Sequence, residues 1–444
     1  MKRTKRTAIA FFIIVMLISS LVACGGPVPQ KEVQEVQEVQ EVHLVLWAGP
    51  NMVTANEAKL SQDQWVITKM LKVFEQENPG VTVEVVLEPD QGAAHQTFKT
   101  AALAQNGPDV VNLWSGLYTV ALKDVAYKLD GKVPQEDLNN LVGWENLRED
   151  FKPDGAIVAY PWGTLDAIGF GYSKKLIEAA GLDFEANPPR TTADFDAAMA
   201  KIKATNVIPI SNDEGSWPAM LYLVADYWWQ QLSGGDTIAK ENNGEIKFVD
   251  DSGLKSALVY YHSLYTNGYI NSDTLSSTDS AQRFLEGKAA MTVLGQSGVP
   301  QFNSLGDDLG VILPPDMPGA NITGSQIGGA GQSLLIASYC KNPDVAVKLC
   351  SFLNSTGFYK EYVKVTPSIP IRKDLTFADT GMGSQAIYKK FYDMAQKSIL
   401  YTDNLVDPDA MNELAKQAPL VLSGKVTPQQ ALEGMDVQIA AKKK

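Results

Sequence analysis

The feature that most restricts the fold of this chain is a regular alternation of strand-like and helix-like segments. The stretches "VHLVLWAG", "VTVEVVLE" and "PDVVNLW" have the apolar or alternating pattern of strands, and longer helical patterns separate them. Further on, "TTADFDAAMAKIKAT" and "VIPIS" repeat the rhythm, with Thr191 or Thr192 as a suitable helix cap. Strands that alternate with helices of this length predict an α/β fold with a parallel or mixed sheet.

The size of the chain predicts two domains. The sequence has 444 residues, of which 45% are hydrophobic, so it can bury substantial cores. Trp228 and Trp229 lie in a helical pattern, and we expect both in a core. Asp109 follows Gly107-Pro108 at a strand start, where we expect it to stabilise the backbone. Cys340 and Cys350 either pair in a disulfide or remain two buried thiols.

The N-terminus has the layout of an export signal over residues 1–23. Four basic residues come first, and an apolar run follows that is too short for a spanning helix. The ending "LVAC" resembles the lipobox of bacterial lipoproteins. This resemblance implies cleavage before Cys24 and attachment of diacylglycerol to its sulfur. The alternative is an ordinary cleavable signal in which the cysteine is incidental.

Residues 24–43 are predicted to be a flexible tether. They contain "KEVQEVQEVQEV", and a three-residue repeat matches neither a helix face nor the alternation of a strand. The competing interpretation is a short frayed helix. Such a tether would hold the folded part of the chain away from a membrane surface.

The charge balance excludes two classes of partner. Cleavage before Cys24 leaves 34 basic against 51 acidic residues, a net charge of −17. So acidic a surface repels phosphate backbones and anionic lipid headgroups. We therefore expect no nucleic-acid binding, and attachment to the membrane through the N-terminal lipid alone.

A series of segments in one order gives the strongest clue to the family. They are "FEQENPGVTVEVV", "ALAQNGPDVVNLWSG", "AYPWGTLDAIGFGYSKKLIEAAGL", "PPRTTADFDAAMAKI", "FLEGKAAMTVLG", "GVILPPDMPG", "KNPDVAVKLCSFLNS" and "PSIPIRKDL". In this order they resemble the extracellular sugar-binding proteins of ABC importers, the relatives of maltose-binding protein. The resemblance covers essentially the whole chain after residue 43.

This resemblance implies a periplasmic-binding-protein-like fold of type II, with a ligand cleft between two lobes. Hinge crossings are expected near 164–168, 327–332 and Arg372. The N-terminal lobe would comprise 44–165 and 332–372, and the C-terminal lobe 166–331 and 373–444. A few crossing residues would absorb a hinge rotation while both cores stay rigid.

Sugars present hydroxyl edges and C–H faces, so their sites combine aromatic platforms with polar side chains. In open α/β sheets, ligands bind beyond the carboxyl ends of strands. The tryptophans that follow strand-like segments are Trp47, Trp114, Trp162 and Trp217. Trp47 alternatively packs in its own lobe, and either Trp162 or Tyr160 faces the lobe core.

The resemblance also implies ligand-facing side chains at Asn51, Ser115, Asp166, Gln296, Gln332 and Met411. An ionised Asp166 would accept charge-assisted hydrogen bonds from a sugar. Asp213 and Glu214 would do the same, or are ordinary loop charges. Relatives often have an aromatic residue where this chain has Met411, so one stacking platform is in doubt.

We expect no cofactor and no metal. "GGAGQS" lacks the lysine of a P-loop and the later acid of a dinucleotide site. His43, His95 and His262 are scattered, and no Cys/His spacing resembles a zinc site.

The resemblance implies a monomeric, lipid-anchored receptor outside the cytoplasmic membrane. It would capture a mono- or oligosaccharide and deliver it to the permease subunits of an ABC importer. One alternative keeps the fold and changes the ligand to a non-sugar solute. The other is a secreted glycoside hydrolase, which would pair Asp166 with Asp213 or Glu214 as its two carboxyl groups.

Overall fold

The computed structural model describes residues 41–88, 90–215, 219–324, 326–400 and 404–442. The predicted signal peptide, Cys24, the tether up to residue 40 and Trp217 lie outside these residues. The first strand begins at Val42 and includes the last two residues assigned to the tether. Val42 is buried, and this burial places it with the folded part of the chain.

The described residues form ten strands. They are β1 Val42–Ala48, β2 Val81–Leu87, β3 Val110–Trp114, β4 Tyr160–Ser173, β5 Ile208–Ile210, β6 Ala289–Gly295, β7 Leu309–Ile312, β8 Gln326–Ile336, β9 Ile369–Pro370 and β10 Ser398–Leu400. The apolar stretch "VHLVLWAG" forms a strand as predicted, and within it the fully buried Leu44 and Leu46 alternate with less buried residues.

Helices separate most of the strands in sequence. The α-helices are α1 Val66–Glu77, α2 Gln91–Leu103, α3 Leu117–Val120, α4 Gln135–Asn140, α5 Lys174–Ala179, α6 Thr192–Ala204, α7 Ala219–Tyr222, α8 Gln230–Asn242, α9 Ser252–Thr266, α10 Ser280–Leu285, α11 Pro343–Phe352, α12 Thr356–Tyr362, α13 Ala386–Ala395, α14 Pro408–Leu422 and α15 Pro428–Ala441. A π-helical segment covers Leu223–Trp229. Short 3₁₀ segments cover Glu57–Lys59, Gln62–Gln64, Lys123–Val125, Trp144–Leu147, Glu149–Phe151, Phe248–Asp250, Gln296–Asp308 and Phe377–Asp379.

The strands form a mixed sheet, which confirms the predicted α/β class. Its order is β2-β1-β3-β8-β4-β6-β5, with β10 beside β8 and with β7 and β9 beside β4. β1 is parallel to β2 and β3, and β5 is parallel to β6. β8 and β4 run antiparallel to their neighbours along the main order. The parallel strands β2, β1 and β3 therefore lie on one side of the β8–β4 pair, and the parallel strands β6 and β5 lie on the other side.

β4 connects the two halves of the sheet. It pairs with β8 as far as Ala167 and with β6 from Ile168 onward. Its register shifts between Trp162 and Leu165, where Gly163 has a φ of +98°. The change of partner falls within the predicted crossing at 164–168.

The hydrophobic side chains form two large clusters. One surrounds Leu44, Leu46, Trp162 and Tyr359, and the other surrounds Phe195, Trp228, Trp229 and Leu414. A smaller third cluster packs under α2 around Phe98. The prediction that Trp228 and Trp229 are core residues is confirmed, since neither has exposed surface.

The lobe boundary near Arg372 stays a prediction. Helix α13 follows this boundary, yet Ile387 and Phe391 join the cluster that contains β1. The same cluster also includes Phe302, from the predicted C-terminal lobe. Since α13 packs against β4, β7 and β8, it adjoins the connection between the two halves.

Three smaller predictions have clear outcomes. Thr191 caps α6, because its hydroxyl accepts a hydrogen bond from the backbone N–H of Asp194 at 3.2 Å. Asp109 stabilises the backbone, since its carboxylate accepts the N–H of Val45 at 2.9 Å. Cys340 and Cys350 are two free, buried thiols. Burial raises the pKa of both, to about 12 for Cys340.

Glu241 of α8 is a buried carboxyl group. The residue is 1% exposed, and neither carboxyl oxygen has a hydrogen-bond partner among the described residues. Burial and, next, the nearby carboxylate of Asp251 raise the pKa of Glu241 from 4.5 to about 9. The folded protein therefore keeps a proton here that the unfolded chain releases.

Replacing Glu241 by glutamine is expected to weaken the pH dependence of stability. The folded pKa lies above the unfolded value, so the contribution of Glu241 is fully present below pH 4.5 and is lost as the pH rises toward 9. The loss is at most about 1.4 kcal/mol per pH unit. Urea unfolding at pH 5, 7 and 9 should show a smaller decline for Glu241→Gln than for the parent. The exposed Glu245→Gln is the control, and equal slopes in all three proteins would contradict the assignment.

Candidate functional site

The carboxyl ends of two pairs of parallel strands lie on either side of β4. β1 and β3 end at Ala48 and Trp114 in the first half of the sheet, and β5 and β6 end at Ile210 and Gly295 in the second half. Ligands of open α/β sheets bind beyond such ends. The candidate site therefore consists of the loops that follow these four strands and the part of β4 that connects them.

Trp114 is the best-placed aromatic platform in the first half. It is half-buried, and its ring centroid lies 5.7 Å from that of His95 and 5.2 Å from that of Tyr118. The backbone N–H of Trp114 donates to His95 Nε2 at 3.1 Å, so this nitrogen is unprotonated. Burial lowers the pKa of His95 to about 4, which keeps the ring neutral at ordinary pH. Two aromatic neighbours thus hold the indole in a fixed position.

Three side-chain amides lie beside this platform. Gln332 of β8 is directly opposite Trp114 in the strand register. The Gln91 Nε2 donates to Gln332 Oε1 at 3.2 Å, and Asn112 Nδ2 donates to the carbonyl of Ser333 at 3.1 Å. Gln332 was predicted from the sequence, whereas Gln91 and Asn112 were missed. A polar residue inside the apolar strand "VVNLW" was the available signal for Asn112.

Two other predicted residues of the first half have different surroundings. Ser115 is fully buried, and its hydroxyl donates to the carbonyl of Ala330 at 2.6 Å and accepts from Asn404 Nδ2 at 3.3 Å. Its role in this structure is to connect strands. Asn51 is exposed in the loop after β1. Its backbone carbonyl accepts a hydrogen bond from the hydroxyl of Tyr362 at 2.5 Å. A ligand contact of the Asn51 side chain stays a prediction.

Three of the side chains that were predicted to contact the ligand pack instead in hydrophobic clusters. Trp162 has no exposed surface, and its indole N–H donates to the carbonyl of Leu353 at 3.1 Å. Trp47 is half-buried against the cluster under α2. Met411 is 7% exposed within the second large cluster. A ligand would reach Trp162 or Met411 only if a core opened.

The second half of the candidate site contains a cavity of about 300 Å³. Its lining includes Ile168 of β4, Asn212, Asp213, Ser297 and Gln301. The cavity therefore lies at the carboxyl ends of β5 and β6 and adjoins the connecting strand. Its volume is at the lower end of the range for small-molecule sites.

The two predicted carboxylates of this half are already engaged. Asp213 accepts the hydroxyls of Ser277 and Ser280, each at 2.6 Å, and so holds the start of α10. Glu214 is 1% exposed and accepts the hydroxyl of Tyr261 at 2.6 Å and the Nδ2 of Asn212. These bonds agree with the alternative that both are structural loop charges.

Gln296 lies where the two halves meet. It is 5% exposed, and its Nε2 donates to the carbonyl of Leu165 in β4 at 3.4 Å. Its Oε1 has no hydrogen-bond partner in the described ranges. Asp166 is also on β4, with its backbone opposite Gly329. The structure does not describe the side chain of Asp166, and Trp217 lies outside the described residues.

A cavity of about 360 Å³ lies elsewhere, between α13 and the segment 184–190. Lys390 of α13 and Glu185 form an ion pair in its wall, with an N–O distance of 2.6 Å. The cavity contains none of the predicted site residues, so we do not assign the ligand to it. Within residues 41–442, apart from the gaps given above, no helix has both the length and the apolar character to cross a membrane.

Comparisons with known proteins agree on the family. Residues 69–381, more than half of the chain, match the profile of the bacterial extracellular solute-binding proteins. A multiple sugar-binding protein of Streptococcus mutans is 23% identical over 318 residues, which cover 68% of this chain and 71% of that protein.

Solved structures show the same fold. A chitin oligosaccharide binding protein is 20% identical and aligns over 90% of this chain and 98% of its own, with a TM-score of 0.70. The sugar-binding protein MalE from Xanthomonas citri is 21% identical with the same coverage and a TM-score of 0.68. The fold is therefore the two-lobed one predicted, and this chain belongs to the bacterial extracellular solute-binding proteins.

Proposed function

We propose that this protein is a receptor that binds a mono- or oligosaccharide between its lobes and delivers it to the permease of an ABC importer. The observation that carries this proposal is the fixed indole of Trp114 beside the amides of Gln91 and Gln332. An aromatic face suits the C–H face of a sugar, and planar amides suit its hydroxyl edge. The names of the related proteins support a sugar as the ligand.

The course of β4 supports closure of the lobes around the ligand. This strand pairs with β8 on one side of Ala167 and with β6 on the other, so a small rotation there moves one half against the other. A ligand that touches both halves binds the closed form more tightly than the open form. It shifts the population toward the form that a permease would recognise.

The attachment to the membrane belongs to the same proposal. The export signal and the "LVAC" ending support cleavage before Cys24 and lipidation of its sulfur. Residues 25–41 would then lie between the lipid and β1. The protein would face the outside of the cytoplasmic membrane, as its family suggests.

The polar contacts in the second half support binding rather than hydrolysis. A glycosidase holds two carboxyl groups about 5 to 9.5 Å apart across the scissile bond. Asp213 accepts two serine hydroxyls, and Glu214 is buried against Tyr261. Both carboxylates are thus committed to protein groups.

A thermal-shift screen tests the proposal. Maltose, chitotriose, xylotriose and stachyose would be added separately to the purified protein. At least one neutral sugar is expected to raise the melting temperature by mass action. A shift with amino acids or peptides and none with any sugar would contradict the proposal, and release of reducing sugar would indicate an enzyme.

Replacing Trp114 by alanine is expected to weaken binding of the selected sugar by about 10- to 100-fold. Trp47→Ala is the matched control, because Trp47 packs against the cluster under α2. This control should lower the melting temperature and leave the affinity unchanged. Calorimetric titration of both variants measures the two affinities. Equal losses of affinity would contradict the proposal that Trp114 is the aromatic platform for the sugar.

A further inference from the structure

The backbone N–H of Trp114 lies beyond the part of β3 that β1 covers. β1 pairs with β3 at Val110 and Val111, earlier in the strand. The N–H of Ser115, the next along the chain, donates to the carbonyl of Gly331 in β8 at 3.0 Å. Successive N–H groups of a strand point to opposite sides, so the N–H of Trp114 points away from β8, to the side where β1 has ended.

Helix α2 supplies the partners on this side. Gln91 and His95 are four positions apart, so both lie on the same face of the helix. His95 Nε2 accepts the N–H of Trp114 at 3.1 Å, and Gln91 Nε2 donates to the carbonyl of Asn112 at 3.5 Å. Helix α2 thus takes the place of a neighbouring strand along the end of β3. A backbone N–H that is removed from water costs free energy unless such a partner is present.

The imidazole of His95 also packs against the indole of Trp114. The ring centroids of these two residues are 5.7 Å apart, and that of His95 lies 5.1 Å from the ring of Tyr118. Trp114 and Tyr118 meet edge to face at 5.2 Å, so each of the three rings contacts the other two. His95 therefore holds both the backbone and the ring of Trp114, and it does so without needing to touch a ligand.

The bond from Trp114 requires a neutral His95. Because Nε2 accepts, the ring hydrogen is on Nδ1. Protonation would place a second hydrogen on Nε2, directed at the backbone N–H of Trp114. Two donors do not form a hydrogen bond, so the bond would break. The end of β3 would then have to move, and the indole with it.

The protonation state of His95 depends on its immediate surroundings. Tyr118 is the titratable neighbour on α3. Lys99 lies one turn later on α2 and is exposed, and Lys123 and Asp124 belong to the 3₁₀ segment that packs against this helix. None of these three charged side chains contributes to the pKa of His95. Burial lowers this pKa to about 4, against the opposing effect of hydrogen bonds with the backbone.

We infer that His95 is a positioning residue, which orients the indole of Trp114 for the sugar through its neutral imidazole, so that protonation of His95 releases the sugar. The inference rests on the proposed function and assigns to the same site a dependence on pH. The neutral ring predominates at ordinary pH, where binding is retained. In acid the binding-competent fraction falls, and the apparent affinity falls with it.

Two substitutions of His95 separate the hydrogen bond from the ring. The ligand is the one of maltose, chitotriose, xylotriose and stachyose that gives the largest thermal shift. His95→Phe keeps an aromatic ring and removes the acceptor, so it should weaken binding at pH 7 by about fivefold or more. His95→Gln offers an amide oxygen to the same N–H and should stay within about threefold of the parent. His43→Phe, at an exposed position of β1, is the control and should leave the affinity unchanged.

The pH profile is a readout that a purely structural role would not change. A neutral sugar does not titrate, so any pH dependence belongs to the protein. Calorimetric titration of the parent and of His95→Gln at pH 7, 5, 4 and 3.5 gives the ratio of their affinities. This ratio should be the same at pH 7 and 5, and should fall about twofold at pH 4 and about fourfold at pH 3.5. Losses caused by other groups affect both proteins and cancel in the ratio.

The outcomes distinguish the two levels of the assignment. If no sugar binds the parent, the proposed function fails. If a sugar binds and the ratio does not change with pH, only this inference is overturned. A His95→Phe protein that melts lower than the parent but binds the sugar equally well would overturn it too. If His95→Phe does not fold, the pH comparison with His95→Gln decides alone.

Discussion

Arg372→Met is expected to lower the free energy of unfolding by about 3 to 5 kcal/mol. The Arg372 guanidinium is buried, with 2% of its side chain exposed. Its Nε and Nη2 donate to the two carboxylate oxygens of Asp374 at 2.8 and 2.6 Å, and its Nη1 donates to the carbonyl of Asn354 at 2.8 Å. The substitution leaves these acceptors without their donors.

A second carboxylate increases the expected loss. Asp137 is 4% exposed and lies 4.0 Å from the Arg372 guanidinium. Burial raises the pKa of Asp137, and the Arg372 charge opposes that rise. Without Arg372 the folded protein either keeps an unpaired buried charge or takes up a proton, and both cost stability.

Urea unfolding of three variants checks this prediction. Arg372→Lys keeps the charge but not the planar fork, so its loss should be smaller, about 1 to 3 kcal/mol. Lys373→Met changes the next residue, which is exposed, and should shift the free energy of unfolding by less than about 0.5 kcal/mol. If Arg372→Met were as stable as Lys373→Met, the buried network would have no stabilising role.

Gly116→Ala is expected to cost about 2 to 5 kcal/mol. Gly116 has a φ of +69° and a ψ of −141°, a conformation that is essentially restricted to glycine. A Cβ there would lie 2.2 Å from the carbonyl oxygen of Asn404. The backbone of both segments would have to move apart, and with it the Asn404 contact to Ser115.

Gly131→Ala provides the matched control. Gly131 has the same φ of +69°, but no atom lies within 4 Å of the position its Cβ would take. It should show only the strain of a positive φ, about 1 to 2 kcal/mol. The difference between the two melting temperatures measures the Asn404 contact together with the strain of the Gly116 ψ angle, and equal destabilisation would show that both are unimportant.

Much of the fold was predictable because local patterns specify it. The burial alternation of β1 and the capping of α6 by Thr191 depend on residues close in sequence. The tryptophan pair Trp228 and Trp229 lies in a helical pattern and is fully buried. The family resemblance led to the two-lobed fold, and the change of partner in β4 falls within the crossing that it implied at 164–168.

The site was less predictable, because its residues act through partners far away in sequence. Trp162 has the residue type of a sugar platform, yet its indole N–H bonds to Leu353, 191 positions later. Asp213 and Glu214 have the residue type of sugar ligands, yet serine and tyrosine hydroxyls engage them. Residue type and spacing do not reveal such partners.

By itself, the sequence determined the α/β class, the family and the residue types available to a sugar site. The tertiary structure decided which polar and aromatic side chains are engaged by the protein itself. Gln91 and Asn112 show the reason. Their amide nitrogens are held by partners in β3 and β8, and their oxygens converge on Gly49. Such convergence arises only when the strand register brings separate segments together, because a hydrogen bond depends on distance and direction in space.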